Sequence, residues 1–169
     1  MDAAELRATQ APIKDRFKTD PKAAMVTLKA RGSIENEGIA CKVETGRALA
    51  VAGLHPATGG SGLELCSGDM LLEALVACAG VTLKSVATAI EIPLQSGNVI
   101  AEGDLDFRGT LGVDKEAPVG FAEIRLRFDV GTDAPQDKLD LLLKLTERYC
   151  VVYQTIKNGP KVSVSMKRV

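Results

Sequence analysis

From Met70 to Val81 the chain reads MLLEALVACAGV, a run of apolar and small residues broken only by Glu73. A helix of that composition has no wet face, so it must be enclosed by other structure. Twelve residues are too few to cross a bilayer, which takes about 20. The run is therefore expected to be the centre of a core helix, extending from Ser67 to Glu91, in a soluble protein. Polar residues return at Thr82, Lys84, Ser85 and Thr88, which predicts a covered N-terminal half and a partly exposed stripe on the C-terminal half. Ser67 suits the N-cap, Asp69 complements the positive end of the helix dipole, and Pro93 ends the run. Cys78 stands at its middle, among the positions expected to be best buried, either as packing or as chemistry.

The elements around that helix follow from local periodicity. Residues 2 to 19 have weak helical character, punctuated by Pro12, and residues 1 to 21 read as an N-terminal arm ahead of a single domain over residues 22 to 169. Ala24 to Arg31 alternates with the period of a half-buried strand, Gly32 to Gly38 turns, and strands follow at Ile39 to Thr45 and Ala48 to Ala52. Short turns between them predict an antiparallel meander. The stretch HPATGGSG, from His55 to Gly62, reads as a flexible approach to the helix, with His55 as a turn residue.

After the helix, Val99 to Phe107 reads as a strand interrupted near Gly103, and residues 109 to 120 as a loop. Phe121 to Val130 alternates most cleanly, with Ala122, Ile124, Leu126, Phe128 and Val130 inward and a charged outer face. Pro135 opens a second helix whose Leu139, Leu142, Leu145 and Tyr149 form an apolar stripe. Asn158, Gly159 and Pro160 stop the helical continuation past Cys150, and Lys161 to Lys167 alternates as a closing strand. The sum is an α+β fold: antiparallel sheets packed around a long buried central helix and a second helix.

Composition removes several functions. Lys and Arg number 21 against 22 Asp and Glu, mixed along the chain of 169 residues, so no basic stripe is available for nucleic acid. The N-terminus, MDAAELRATQ, is acidic where a signal peptide is basic, and the expected location is cytoplasmic. Four cysteines there are expected to be reduced at rest, any disulfide being transient. With one histidine and no C-x-x-C, neither a metal site nor a cofactor is expected.

The cysteines separate by context. Free cysteine usually behaves as a small hydrophobe, the plain reading for Cys41 on a strand face and an open one for Cys78. Cys66 precedes the helix in a Gly-rich neighbourhood. Cys150 closes a helix beside Glu147 and Arg148, where a thiol could meet solvent or a second thiol. A disulfide between two of them needs Cα atoms within about 7 Å.

D-M-L-L-E-A-L-V-A-C, from Asp69 to Cys78, resembles the acidic-L-L-x-A-L-A-A-C motif of the OsmC/Ohr family of osmotically induced and organic hydroperoxide resistance proteins. E-R-Y-C-V-V-Y-Q-T-I, from Glu147 to Ile156, is similar to that family's second motif, in which the cysteine is usually followed by proline. The Gly-rich lead-in at Gly59 to Gly62 and the order of elements over about residues 22 to 168 also fit. The resemblance implies an interlocked homodimer with active sites at the subunit interface. It also implies a cysteine-based peroxidase, with Cys78 attacking the peroxide, Cys150 resolving it as a Cys78–Cys150 disulfide, and an external dithiol reductant.

Only a thiolate attacks the O–O bond, and an ordinary thiol with a pKa near ~8.5 is mostly protonated at neutral pH. Cys78 lies mid-helix, where its own helix dipole offers little and burial opposes ionisation. The expectation is therefore a delivered cation: Arg31, or Arg47 as second choice, held by the carboxylate of Asp69. The apolar surroundings of Cys78 favour an alkyl or fatty-acid hydroperoxide. The alternative is a noncatalytic ligand-binding or redox-sensing dimer of the same fold.

Overall fold

The computed structural model describes residues 2–19, 31–34, 40–44, 49–112 and 114–168. Side chains at 9, 13–18, 31–34, 40–44 and 49 are not described, and the strand expected over Ala24 to Ala30 lies outside the described residues. Helix α1 spans Ala3–Thr19 without interruption, so Pro12 is accommodated and does not divide it. Its start is closed by a reciprocal pair, in which Glu5 N–H donates to Asp2 Oδ1 at 2.8 Å and Asp2 N–H donates to Glu5 Oε2 at 2.9 Å. Arg7 ties the helix to the far end of the central helix through Glu91 at 3.3 Å. That ion pair is exposed and adds little stability by itself.

The predicted meander is present as β1 (Arg31–Ile34), β2 (Ala40–Glu44) and β3 (Leu49–Gly53), all antiparallel. Gly32 to Ile34, expected in a turn, belong to β1, because their backbone pairs with Cys41 to Val43. A two-residue strand β4 (Leu65–Cys66) adds in parallel to β3, a feature too short to carry any periodicity. Between them the Gly-rich approach makes one 3₁₀ turn, Pro56–Thr58. His55 caps it as a turn residue, its Nδ1 accepting from Ala57 N–H at 3.0 Å while its ring stacks on Phe107. Gly60 is required there: a Cβ would stand 1.7 Å from the Leu54 carbonyl oxygen.

The central helix α2 runs Ser67–Ala89. It begins one residue earlier than expected: Cys66 is the N-cap and makes no capping bond through its side chain, and Ser67 is already helical. At 23 residues, with a mean hydropathy of 1.7 in its most apolar window, it is by length and composition long enough to cross a membrane. Its packing is that of a core helix on one side. Leu75, Ala79, Leu83, Val86 and Ala87 form a buried stripe at intervals of three and four, facing β5, α4 and α5. The opposite side is open, with Leu71, Ala74, Ala77 and Val81 exposed, Val81 to 73%. Full enclosure, and the contrast expected between a covered N-terminal and an open C-terminal half, are therefore not found within one chain.

Strands β5 (Ser96–Leu105) and β6 (Phe121–Gly131) form an antiparallel pair beside α2. Gly103 does not interrupt β5. It makes room for the Phe121 ring, since a Cβ there would stand 2.5 Å from Phe121 Cε1. The pairing slips by one residue, so that Leu105 faces Phe121 while Asp104 faces Glu123. This bulge puts Phe121 inside and Ala122 outside, correcting the inward assignment of Ala122; Ile124, Leu126, Phe128 and Val130 keep theirs. On the outer face Arg125 is paired with Asp104 and Glu123, a solvated ionic surface as expected. A one-turn helix α3, Phe107–Thr110, stands in the connection between the two strands.

Helix α4 (Gln136–Tyr149) follows Pro135 and buries Leu142 and Thr146, whereas Tyr149 is exposed. The main core lies between its Leu142 and the C-terminal half of α2, with Phe128 and Val130 of β6 packed against it. Helix α5 (Val151–Asn158) follows after a single-residue break and ends at Gly159. The expected closing strand is absent: residues 159–168 form neither helix nor strand, with Val164 93% and Met166 99% exposed. A strand needs a partner edge, and among the described residues no strand pairs with that segment.

Candidate active site

The break between α4 and α5 is one residue long. Cys150 has extended backbone, φ −74° and ψ 108°, and serves both helices. Its N–H donates to Thr146 O at 3.0 Å, closing α4, and its carbonyl accepts from Gln154 N–H at 2.9 Å, opening α5. The Gln154 side chain spans the break, donating to Glu147 O at 2.7 Å. The Thr146 hydroxyl, itself buried, donates to Leu142 O at 2.8 Å. These bonds hold Cys150 in place with 0% of its surface exposed.

Cys78, expected at the best-buried positions, is partly exposed on the flank of α2, while Cys150, for which solvent or a second thiol was expected, is fully enclosed. The reason is that α2 is covered on one side only, and Cys78 borders the covered stripe. Both thiols are free, and they meet: the Cys150 thiol hydrogen-bonds the Cys78 sulfur.

The surroundings of the pair set two different acidities. Burial pushes the Cys78 thiol up, but hydrogen bonds from Val152 N–H, the Cys150 thiol, Val151 N–H and the Thr82 hydroxyl outweigh it, leaving Cys78 below the ordinary thiol value. Burial also pushes Cys150 up. The Tyr153 and Val152 N–H groups oppose that rise, but the hydrogen bond to Cys78 and the Cys78 charge reinforce it, and Cys150 stays above the ordinary value. Cys78 is thus the more acidic thiol of the pair and Cys150 the less acidic one.

The lowered pKa of Cys78 has a source not expected from the sequence: backbone groups at the start of a second helix bear on it. Val151, Val152 and Tyr153 are the first three residues of α5, whose N–H groups have no partner inside that helix. Val151 and Val152 act on Cys78, and Tyr153 and Val152 on Cys150, in each case favouring the charged sulfur. A delivered cation is therefore not the sole means of ionising Cys78. No sequence pattern announces this: Asn158, Gly159 and Pro160 mark where the helical continuation past Cys150 stops, but the break at Cys150 that makes α5 a separate helix was not expected.

Of the remaining expected residues, Asp69 is described in full and is not brought to the pair. Asp69 is exposed in the first turn of α2, about 13 Å of helix rise from Cys78. It lines a cavity of about 350 Å³ with His55, Cys66 and Asp104. Arg31 opens β1, its backbone in register with Glu44; its side chain, like that of Cys41, is not described, and Arg47 lies outside the described residues. Among the described residues no cluster of His, Cys, Asp and Glu has the arrangement of a metal site. A groove of about 540 Å³ is lined by Leu75, Ile124, Leu126, Phe128, Tyr153 and Ile156 together with the charged Glu123, Glu147 and Lys157, and neither thiol is among its lining residues. Leu75 lies one turn before Cys78 on α2.

Two thiols of opposed acidity at a helix break, packed against the central helix of an α+β fold, define the class as a dithiol protein. The sequence profile of the OsmC family, described as OsmC-like protein, matches residues 60–165, more than half of the chain, and the chain belongs to that family. No curated protein matches it. Among solved structures it is similar to an OsmC-like protein from Mycoplasma pneumoniae, with 14% identity, a TM-score of 0.65, and coverage of 79% of this chain and 89% of that one. It is similar also to an organic hydroperoxide resistance protein OsmC from Legionella pneumophila, with 16% identity, a TM-score of 0.61, and coverage of 80% and 92%. An organic hydroperoxide resistance protein from Elizabethkingia anophelis has 14% identity, a TM-score of 0.62, and coverage of 80% and 91%. At these identities the likeness establishes the fold.

Proposed function

We propose that this protein is a thiol-dependent peroxidase that reduces organic hydroperoxides, of alkyl or fatty-acid type, and works as a homodimer in the cytoplasm. The observation that carries the reading is the Cys78–Cys150 contact, which joins residues far apart in sequence and lowers the acidity constant of one while raising that of the other. The names of the Legionella and Elizabethkingia relatives point the same way. The apolar side of the groove, at Leu75, Ile124, Leu126 and Phe128, suits the hydrocarbon part of such a substrate.

The Cys78 thiolate attacks the terminal peroxide oxygen, the O–O bond breaks, and the alkoxide leaves and takes a proton to give the alcohol. Cys78 is then a sulfenic acid. Its negative charge is gone, which removes part of what held Cys150 protonated, while Tyr153 and Val152 N–H still face the Cys150 sulfur. Cys150 loses its proton and attacks the Cys78 sulfur; the S–S bond forms, the S–O bond breaks, and water leaves. An external dithiol reduces the disulfide, so the balance is one hydroperoxide and one dithiol to one alcohol, one water and one oxidised dithiol. In this scheme Arg31, or Arg47, adds a cation that polarises the departing oxygen, held by Asp69 as the resemblance implies.

The second copy is argued from what one chain leaves bare: Leu71 and Val81 on α2, and the alternation of Val162, Val164 and Met166. The test of function is consumption of cumene hydroperoxide with a dithiol donor. Saturable turnover that is lost in Cys78→Ser supports the peroxidase, and turnover retained in Cys78→Ser sinks it. No turnover at all leaves the redox-sensing alternative.

A further inference from the structure

Nothing in the local sequence dictates the break at Cys150. Tyr149, Cys150, Val151 and Val152 include neither glycine nor proline, the residues that usually end a helix. In an unbroken helix the Glu147 carbonyl would accept from Val151 N–H, four residues on. Here the Gln154 side chain takes that place, its Nε2 donating to Glu147 O at 2.7 Å. We infer that Gln154 is a positioning residue for the Cys78–Cys150 pair: its side chain keeps α4 and α5 from fusing into one helix and so holds Cys150 against α2 for disulfide formation. The inference rests on the peroxidase reading for the use of that disulfide, while the clamp itself does not.

The amide of Gln154 is fixed at both ends. Asn158 Nδ2 donates to Gln154 Oε1 at 2.8 Å and to Gln154 O at 3.0 Å, so turning the amide over would set oxygen against the Glu147 carbonyl and N–H against N–H at Asn158. Gln154 N–H donates to Cys150 O at 2.9 Å, so one residue grips the chain on both sides of the break. What the clamp preserves is the extended backbone of Cys150, with ψ 108°, where helical continuation would need about −42°. That change would re-aim the thiol and α5 together. Helix α2, which carries Cys78, packs against both α4 and α5, and Cys150 is fully enclosed, so the angle between those two helices sets where its sulfur stands. A disulfide tolerates little error in that position, since it needs Cα atoms within about 7 Å and side chains that face each other.

Gln154→Met keeps the length of the side chain and removes both its polar ends. Glu147 and Gln154 border an open cavity of about 590 Å³ with Lys144, Arg148 and Tyr149, so water has access to the carbonyl that the variant frees. The readout is the equilibrium between the Cys78–Cys150 disulfide and its dithiol in the full-length protein, held in mixtures of reduced and oxidised dithiothreitol and quantified by alkylation and peptide mass spectrometry.

The expected result is an equilibrium constant for the disulfide lowered about fivefold, as loss of one ordinary hydrogen bond implies, because the reduced variant relaxes toward a continuous helix that the disulfide must break again. Asn158→Ala, which loses the bond that orients the amide, moves the constant the same way by a smaller factor. A role in stability alone would lower the urea midpoint and leave the constant untouched, and that result in folded Gln154→Met overturns the proposal. If Gln154→Met does not fold, an unchanged constant in Asn158→Ala overturns it. A wild type that forms no Cys78–Cys150 disulfide also overturns it, whatever its turnover. Since the equilibrium needs no peroxide, a shifted constant in a protein that does not consume cumene hydroperoxide upholds the positioning role and refutes only the peroxidase.

Discussion

The Cys150 thiol donates to the Cys78 sulfur, and this one contact helps lower Cys78 and raise Cys150. It gives the pair a direction, since the partly exposed sulfur is the more acidic and the enclosed one the less acidic. A pair of equal acidity would have no such order.

Limited iodoacetamide at pH 7 is accordingly expected to label Cys78 first and Cys150 last. Cys150→Ala removes the donor and moves the half-maximal pH for Cys78 labelling upward, while Cys150→Ser, which keeps an O–H, lies between it and the wild type. Stopped-time labelling with peptide mass spectrometry measures both. Labelling of Cys150 ahead of Cys78 contradicts the assignment.

Thr82 lies one helical turn after Cys78 and gives its hydroxyl to the same sulfur. Thr82→Val keeps the shape and removes the donor, so Cys78 alkylation at pH 7 is expected to slow about fivefold, the equivalent of roughly 1 kcal/mol. Turnover with cumene hydroperoxide should fall by a similar factor through kcat/KM. Equal rates in the two proteins at every pH would remove Thr82 from the site.

Gly103 stands where any Cβ would be 2.5 Å from the Phe121 ring. Gly103→Ala forces the ring out of its place at the β5–β6 bulge and is expected to cost roughly 1–3 kcal/mol in urea unfolding. Gly120→Ala, where a Cβ meets nothing within 4 Å, provides the control. A Gly103→Ala protein as stable as the control would mean that Phe121 is free to move.

Val81 lies 73% exposed on the open face of α2. If a second copy covers that face, the wild type elutes as a dimer by light scattering, and Val81→Asp shifts it toward monomer by placing a charge in an apolar contact. A monomeric wild type at micromolar concentration refutes the homodimer.

Much of this molecule is legible along the chain because its signals are local. The alternation from Phe121 to Val130, the stop at Asn158 to Pro160 and the apolar run around Cys78 each depend on neighbours a few residues away, and all three appear as elements where expected. Misplaced details arise where a contact between elements overrides the local pattern. The Phe121 ring needs the space at Gly103, the bulge turns Ala122 outward, and the backbone of β2 draws Gly32 to Ile34 into a strand.

Of the central helix, the sequence by itself determined the existence, the extent to within a residue or two, and the cysteine at its middle. Side-chain pattern decides those, since a run with no polar face has few alternatives to burial. Only the tertiary structure decided which sulfur is exposed, which one is the more acidic, and by what means. Those depend on α5 arriving with its N–H groups pointed at Cys78, a relation between two segments that no spacing in the chain encodes.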